Sequence, residues 1–291
     1  MAVKTIFLGL AFAFMWSSAF TSARVIVAYA PPMGSLALRF FISGLIGVAI
    51  ALALGQTLRL TRAQWRATII FGICQNALYL GLNFVAMQWI EASLASIIAS
   101  TMPLMVALLG RVFLGDTLSP MAFLGLVVGF VGVGLIMGGR LDGGLDWTGI
   151  TFCIIGAIAL AVATLSVRGA SSGGNVMMIV GLQMFVGAAG LAVVSAFTET
   201  MTVTWSWQLV VAFIYTTIVP GLMATWVWFT LVNQIGAVKA ATFHFLNPFF
   251  GVAVAAVLLG EKMGTLDVIG VATVAAGILA VQLSKQRPLV G

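Results

Sequence analysis

Apolar stretches of close to twenty residues recur along this chain with only short breaks between them, at 5–27, 34–54, 66–88, 93–113, 120–138, 148–168, 176–197, 208–231, 239–259 and 265–284. An α-helix rising 1.5 Å per residue needs about 20 predominantly apolar residues to cross ~30 Å of hydrocarbon. Strands of a membrane barrel would be about half that length and alternate in polarity. These runs are unbroken, and backbone in hydrocarbon must satisfy its own hydrogen bonds, so the stretches are expected to be helices. The breaks leave no room for a folded domain outside the bilayer. Composition points the same way: of 291 residues 62% are hydrophobic and 7% charged, whereas a soluble domain carries about 25% charged residues. Disorder would need low hydrophobicity and high charge. The expected fold is an all-α integral membrane protein of ten transmembrane helices, with the lipid bilayer as its surroundings.

The first stretch follows Lys4 and could be read as a signal peptide. Its apolar run from Ile6 to Ala23 exceeds the usual 7–15-residue core of such a signal, so a retained helix is expected. Orientation follows from the basic residues of the short loops. With the N-terminus inside, Lys4, Arg59, Arg62, Arg66, Arg111, Arg168, Lys239, Lys285 and Arg287 share one side. Arg24, Arg39, Arg140 and Lys262 share the other with most of the acids. Both termini are therefore expected on the cytoplasmic face. The net charge of +6 is a topology signal; no basic surface interleaved with aromatics offers itself to nucleic acid.

Sliding the chain on itself by about 145 residues brings two halves into register. Pro103 falls on Pro248, VFLGD (112–116) on VLLGE (257–261), Gly125 on Gly270 and Gly132 on Gly277. At an offset of 144, LRFF (38–41) meets LQMF (182–185). Each half, 1–141 and 142–291, then holds five helices. Because five is odd, the second copy enters the membrane from the opposite side, giving an inverted repeat. Two similar halves of opposite orientation can exchange conformations around a midplane site, which is the logic of alternating access.

FMWSSAFTSAR (14–24), LALRF (36–40), ASLASIIASTMPLMVALLGRVFLGD (92–116) and KAATFHFLNPFFGVAVAAVLLGE (239–261) resemble the drug/metabolite transporter superfamily in its ten-helix EamA form. The resemblance runs through both halves and is nearest to the YddG group. It implies a bacterial inner-membrane exporter of amino acids, aromatic or other neutral ones, or of similar small metabolites. Efflux of hydrophobic drugs or cations, and a non-transporting scaffold or lipid-handling role, stand as alternatives. A cation pump would need a membrane carboxylate, and none lies near the centre of any stretch.

Other chemistry is thin. No Gly-Lys pair is present, so no phosphate-binding loop of the Gly-x-x-x-x-Gly-Lys type exists. Two cysteines and one histidine cannot make a multi-ligand metal site, and neither metal, cofactor nor enzymatic activity is expected. A monomer is compatible with everything in the sequence. The candidate substrate-binding residues are polar or aromatic groups at mid-stretch, where they are costly against lipid. Asn76, Tyr79 and Asn83 recur at i, i+3 and i+7 and share one helical face. Ser100 lies beside Pro103; His244 and Asn247 lie beside Pro248; Trp16 is central, although tryptophan favours the membrane interface. Trp16, Tyr79, Asn83, Ser100 and His244 are expected around one cavity, with Asn76 and Asn247 contributing. Pro103 and Pro248 free a backbone carbonyl each and are the candidate hinges. Trp226, Thr230 and Asn233 make a weaker stripe. Arg24 and Arg39 are expected to snorkel to the outer surface, the alternative being attraction of a carboxylate at the outer mouth; Gly125/Gly129 and Gly134/Gly138 are expected to pack helices closely. His244 is the only side chain of the interior that titrates near neutrality when unperturbed, so either proton coupling runs through it alone or the protein is a facilitator. The facilitator is expected, because an exporter that relieves cytoplasmic excess already has its gradient and a zwitterion brings no net charge to neutralise.

Overall fold

The structure, a computed structural model, describes residues 3–140, 146–166, 174–235, 240 and 242–284. All regular elements among them are helices. In chain order these are α1 Val3–Val27, α2 Pro32–Ala53, α3 Arg62–Ala86, α4 Ala92–Leu114, α5 Pro120–Arg140, α6 Trp147–Ser166, α7 Val176–Thr198, α8 at 207–235, α9 at 242–259 and α10 Thr265–Ser284. Among the described residues nine helices are long and apolar enough to span a membrane, and α9 supplies a shorter apolar one, Phe243–Leu259. Arg168, Lys239, Lys285, Arg287 and Asp142, and the boundary at 141/142, lie outside the described residues.

The burial pattern is that of a protein in lipid. Phe7, Phe41, Phe123, Val193 and Phe197 are exposed, whereas Ser17, Ser18, Thr21, Asn76 and Asn83 are buried. Hydroxyls within helices largely return to their own backbone: Thr68, Thr216, Thr217 and Thr225 each donate to the carbonyl four residues earlier. That satisfies the group without leaving the helix.

Repeat-equivalent helices pack side by side. The start of α2 meets the end of α7, where the Glu199 carboxylate accepts from the backbone N–H groups of Met33 (2.8 Å) and Gly34 (2.9 Å). The end of α2 meets the start of α7, where Gln56 Oε1 accepts from the Met178 N–H at 3.0 Å. The two helices therefore run antiparallel and cap each other's N-termini, satisfying donors that a helix leaves open. α5 and α10 behave alike: Gly125 faces Gly277 and Val281, while Gly132 faces Val274 and Gly270. Equivalent helices lying antiparallel in contact are what a two-fold axis in the membrane plane produces, so the repeat is inverted. A Cβ built at Gly125 would stand 2.8 Å from the Gly277 carbonyl oxygen, and one at Gly132 would stand 2.6 Å from Val274 N. Only glycine fits there. The second pair differs from expectation. Gly134 and Gly138 have open space where a side chain would go, because they face away from α10.

Helices α4 and α9 are interrupted at equivalent places. In α4 the helical run Ala92–Ser100 stops at Thr101 and resumes at Met102, with Pro103 in the first turn. In α9 a 3₁₀ segment, Thr242–Leu246, precedes Asn247–Leu259, with Pro248 in the first turn. Proline suits the first turn of a helix because its missing N–H would be unpaired there anyway.

Candidate functional site

Two further helices depart from α geometry at matching positions. α3 passes through a π segment at Gly72–Leu80, and α8 through one at Thr217–Met223. In α8 the cause is visible, since Pro220 lies inside the segment and cannot donate to the ladder. In α3, Gly72 lets the helix close on α7: a Cβ there would stand 2.7 Å from the Gln183 carbonyl oxygen. Asn76 Nδ2 then donates to that same carbonyl at 3.0 Å. π turns are rare and gather at functional sites.

Between these segments lies a cavity of about 80 Å³, walled by α1, α2, α3, α7 and α8. α3 gives it Gln75/Asn76, Tyr79/Leu80, Asn83/Phe84 and Met87. These steps of three to four residues keep the positions on one face of α3, through the π segment at Gly72–Leu80 and beyond it. The cavity straddles the pseudo-two-fold axis. Arg39 and Phe40 of α2 face it from one half, and their repeat equivalents Gln183 and Met184 of α7 face it from the other. Aromatic and thioether groups (Trp16, Phe20, Phe40, Phe84, Met87) make up the apolar wall. Ligand sites usually measure ~300–1,000 Å³, so the helices here are drawn in around the cavity.

The structure brings Trp16, Asn76, Tyr79 and Asn83 together on this wall. Tyr79 and Asn83 are each 1% exposed. Asn83 is held by two bonds, its Nδ2 donating to the Tyr79 carbonyl at 2.8 Å and its Oδ1 accepting from Cys153 Sγ at 3.3 Å. Ser100, His244 and Asn247 do not reach the cavity. Ser100 Oγ donates back to the Ser96 carbonyl at 2.6 Å, inside the α4 crossing with α9. His244 stands in an aromatic cluster, 5.3 Å from Phe12, 5.4 Å from Trp228 and 6.2 Å from Trp16 between ring centroids. Its Nδ1 lies 2.9 Å from Asn247 Nδ2. The reason is geometric: the 3₁₀ turn ahead of Pro248 directs this face of α9 at α1, where Ser17 Oγ donates to the Asn247 carbonyl at 3.1 Å. Trp226 is 63% exposed, so the α8 stripe containing it faces outward; the side chain of Asn233 lies outside the described residues.

Arg39 corrects a second expectation. It is 6% exposed and lines the cavity, because α7 and α8 cover the route by which it would have snorkelled. Its guanidinium carbon lies 5.1 Å from the centre of the Phe40 ring, and its Nε has no hydrogen-bond partner. Gly221 adjoins it: a Cβ there would stand 3.4 Å from Arg39 Nη2. Arg24 is likewise engaged, donating through Nη1 to the Met87 carbonyl at one end of the cavity. Beyond it a broader depression of about 590 Å³ runs from Val27–Met33 to Glu199 and Thr204. The overlap of LRFF with LQMF pairs Arg39 with Gln183, but the sequence places Arg39 no deeper than the outer mouth and does not single out Gln183.

Groups of three or more His, Cys, Asp or Glu that could hold a metal are absent among the described residues.

Comparison with known proteins agrees with this architecture. The uncharacterized transporter YvbV of Bacillus subtilis is 25% identical over 86% of this chain and 82% of its own. The uncharacterized inner membrane transporter YedA of Escherichia coli K12 is 24% identical over 93% of this chain and 88% of its own. A solved crystal structure superimposes with a TM-score of 0.71 at 20% identity, covering 98% of this chain and 99% of the other. The EamA-like transporter family matches twice, over residues 3–138 and 147–283, once in each half of the fold. Matched in both repeats, the chain belongs to the EamA-like transporter family.

Proposed function

We propose that this transporter exports neutral amino acids with apolar side chains, or closely similar metabolites, across a bacterial inner membrane, with both termini on the cytoplasmic face. The observation that carries the reading is the cavity on the pseudo-two-fold axis, where amides of α3 and α7 oppose an aromatic wall. A site on that axis is common to both open states of an inverted repeat, as alternating access requires. An amino acid offers a polar head and an apolar body to such a lining. The interrupted helices at Pro103 and Pro248 are the proposed moving parts. Their π-distorted neighbours α3 and α8 hold fewer regular ladder bonds to resist bending.

Cation efflux finds no support, because the only charged side chain on the cavity wall, among the described residues, is a cation. Proton coupling through the cavity finds none either: neither a carboxylate nor an imidazole lines it, and His244 is buried among rings. On this reading the transporter is facilitative and lets substrate run down its own gradient. Counterflow of radiolabelled amino acids in proteoliposomes, with no imposed ion gradient, tests it. Accumulation of phenylalanine, leucine or methionine is the expected result. Uptake that requires a proton gradient contradicts the facilitative mechanism, and absence of uptake for every amino acid contradicts the substrate class.

A further inference from the structure

A guanidinium buried to this degree ordinarily pairs with a carboxylate, since an ion removed from water costs several kcal/mol that only a partner offsets. Arg39 forms no ion pair among the described residues, and its Nε is left without any hydrogen bond. Four acids among the described residues are engaged elsewhere. Glu199 and Glu261 cap the N-termini of α2 and α4, while Asp146 and Asp267 each accept from a backbone N–H at the edge of their own helix. What Arg39 does face is the cavity, with the ring of Phe40 behind its guanidinium carbon. Gly221 of α8 adjoins Nη2, where an added Cβ would come no closer than 3.4 Å. The repeat sharpens the point. The equivalent residue on the other side of the axis is Gln183, a neutral amide on the same wall. One position of the pair holds a charge and its mate does not, which packing alone does not require.

We propose that Arg39 is the carboxylate anchor of the cavity, so that this transporter selects substrates carrying a carboxylate and discriminates against their amides and decarboxylated amines. The planar fork of arginine takes a carboxylate through two parallel N–H···O bonds, a geometry that lysine does not reproduce. The empty pairing capacity of Arg39 is then filled only when substrate is present. Binding removes the uncompensated charge and makes the loaded cavity the more stable form. The hydroxyl of Tyr79 and the remaining hydrogen-bonding capacity of the Asn76 amide are left for the other end of the polar head. Because no carboxylate lines the cavity, an ammonium group is tolerated there but not required. Simple carboxylic acids with an apolar body fit the anchor as well as amino acids do. This inference rests on the transport reading above and narrows its substrate class.

The test uses the purified full chain in detergent, with thermal stabilisation by ligand as the readout, followed by counterflow in proteoliposomes. The ligands are phenylalanine, phenylalaninamide, phenethylamine and 3-phenylpropionate. The anchor predicts stabilisation by phenylalanine or by 3-phenylpropionate, with phenylalaninamide and phenethylamine at least about tenfold weaker. This comparison is made on wild type and depends on no variant. Arg39→Gln is expected to abolish the preference for acid over amide, and Arg39→Lys to retain it partly. Binding of 3-phenylpropionate but not of phenylalanine supports the anchor and overturns the amino-acid reading. Equal binding of phenylalanine and its amide, or an unaltered preference in a folded Arg39→Gln, overturns the anchor and leaves transport standing. Binding and counterflow of none of the four, with leucine, methionine and every other amino acid likewise untransported, overturns both.

Discussion

Helices α5 and α10 meet glycine to glycine, so closely that a Cβ at Gly277 would stand 2.6 Å from the Gly129 Cα. Helices α2 and α7, related by the same two-fold operation, also cross at glycines. There a Cβ at Gly47 would stand 3.2 Å from the Gly181 Cα, and one at Gly181 would stand 2.8 Å from Val48 N. Both crossings are backbone-close, and they differ in content. The α5–α10 contact is apolar and backbone-close, while α2 and α7 carry Arg39 and Gln183 to the cavity and cap one another with Glu199 and Gln56. One axis contact has become a fixed fastening and the other a functional wall. Duplication supplied the two pairs; the side chains added afterwards assigned them different work.

The largest effect is expected where the fastening is tightest. Gly277→Leu forces carbon into backbone that no rotamer change can clear, beyond the ~1–3 kcal/mol of ordinary overpacking. It should yield no monodisperse protein on size exclusion in detergent. Gly134→Leu, on the same pair but facing open space, should purify normally with stability within about 0.5 kcal/mol of wild type. Equal damage from both would break the distinction drawn between the two faces of α5.

On the functional wall the order of effects reverses, with transport lost before stability. Asn83→Leu removes the group that receives Cys153 Sγ and braces the Tyr79 carbonyl. Counterflow should fall by about tenfold or more, with a thermal cost of ~1–3 kcal/mol for the partners left unpaired. Tyr79→Phe takes away only a hydroxyl at the cavity, so the midpoint of unfolding should stay within about 0.5 kcal/mol of wild type while the apparent KM rises. A fall in stability without a change in KM would make Tyr79 a packing residue.

The caps should respond more mildly. Glu199→Gln retains one acceptor for the α2 N-terminus but loses the charge that favours that end of the helix dipole. It should cost about 1 kcal/mol, in line with other cap losses. Gln56→Glu at the related position of α7 should be neutral or slightly stabilising. The smallest effect on transport mechanism is expected at His244. His244→Gln should alter stability through the lost ring contacts with Phe12 and Trp228, and leave counterflow independent of any proton gradient. Proton dependence that disappears in this variant would restore His244 to the coupling role considered from sequence.

Much of this was legible beforehand, for physical reasons that also mark where reading stops. Hydrophobic runs of bilayer length report spanning helices directly, and the expected ends fall within a few residues of those seen for α1, α5, α7 and α10. The internal match placed α2 on α7 and α5 on α10. The Asn76–Tyr79–Asn83 stripe was visible because amides against lipid are costly at any position. Three things were not visible. A π turn has no compositional signature, so the departure of α3 from α geometry at Gly72–Leu80 could not be read from a 3.6-residue period. Arg39 close to the end of a span looks identical whether it snorkels or is roofed, and only the packing of α7 and α8 decides. His244 and Asn247 share a face, as expected, but the 3₁₀ turn at Thr242–Leu246 sets which neighbour that face meets.

The central claim, that substrate occupies the cavity between α1, α2, α3, α7 and α8, is tested most directly by protection of a single cysteine. Cys74 and Cys153 would be replaced, and one cysteine introduced at Thr225, on the cavity wall, or at Thr230 on the same helix, which does not line it. Labelling by a small thiol reagent would be followed in proteoliposomes with and without saturating phenylalanine or 3-phenylpropionate. The account predicts that either ligand slows labelling at position 225 several-fold and leaves position 230 unchanged. Equal labelling at 225 with and without a ligand that the protein demonstrably transports would place the substrate elsewhere and contradict the account.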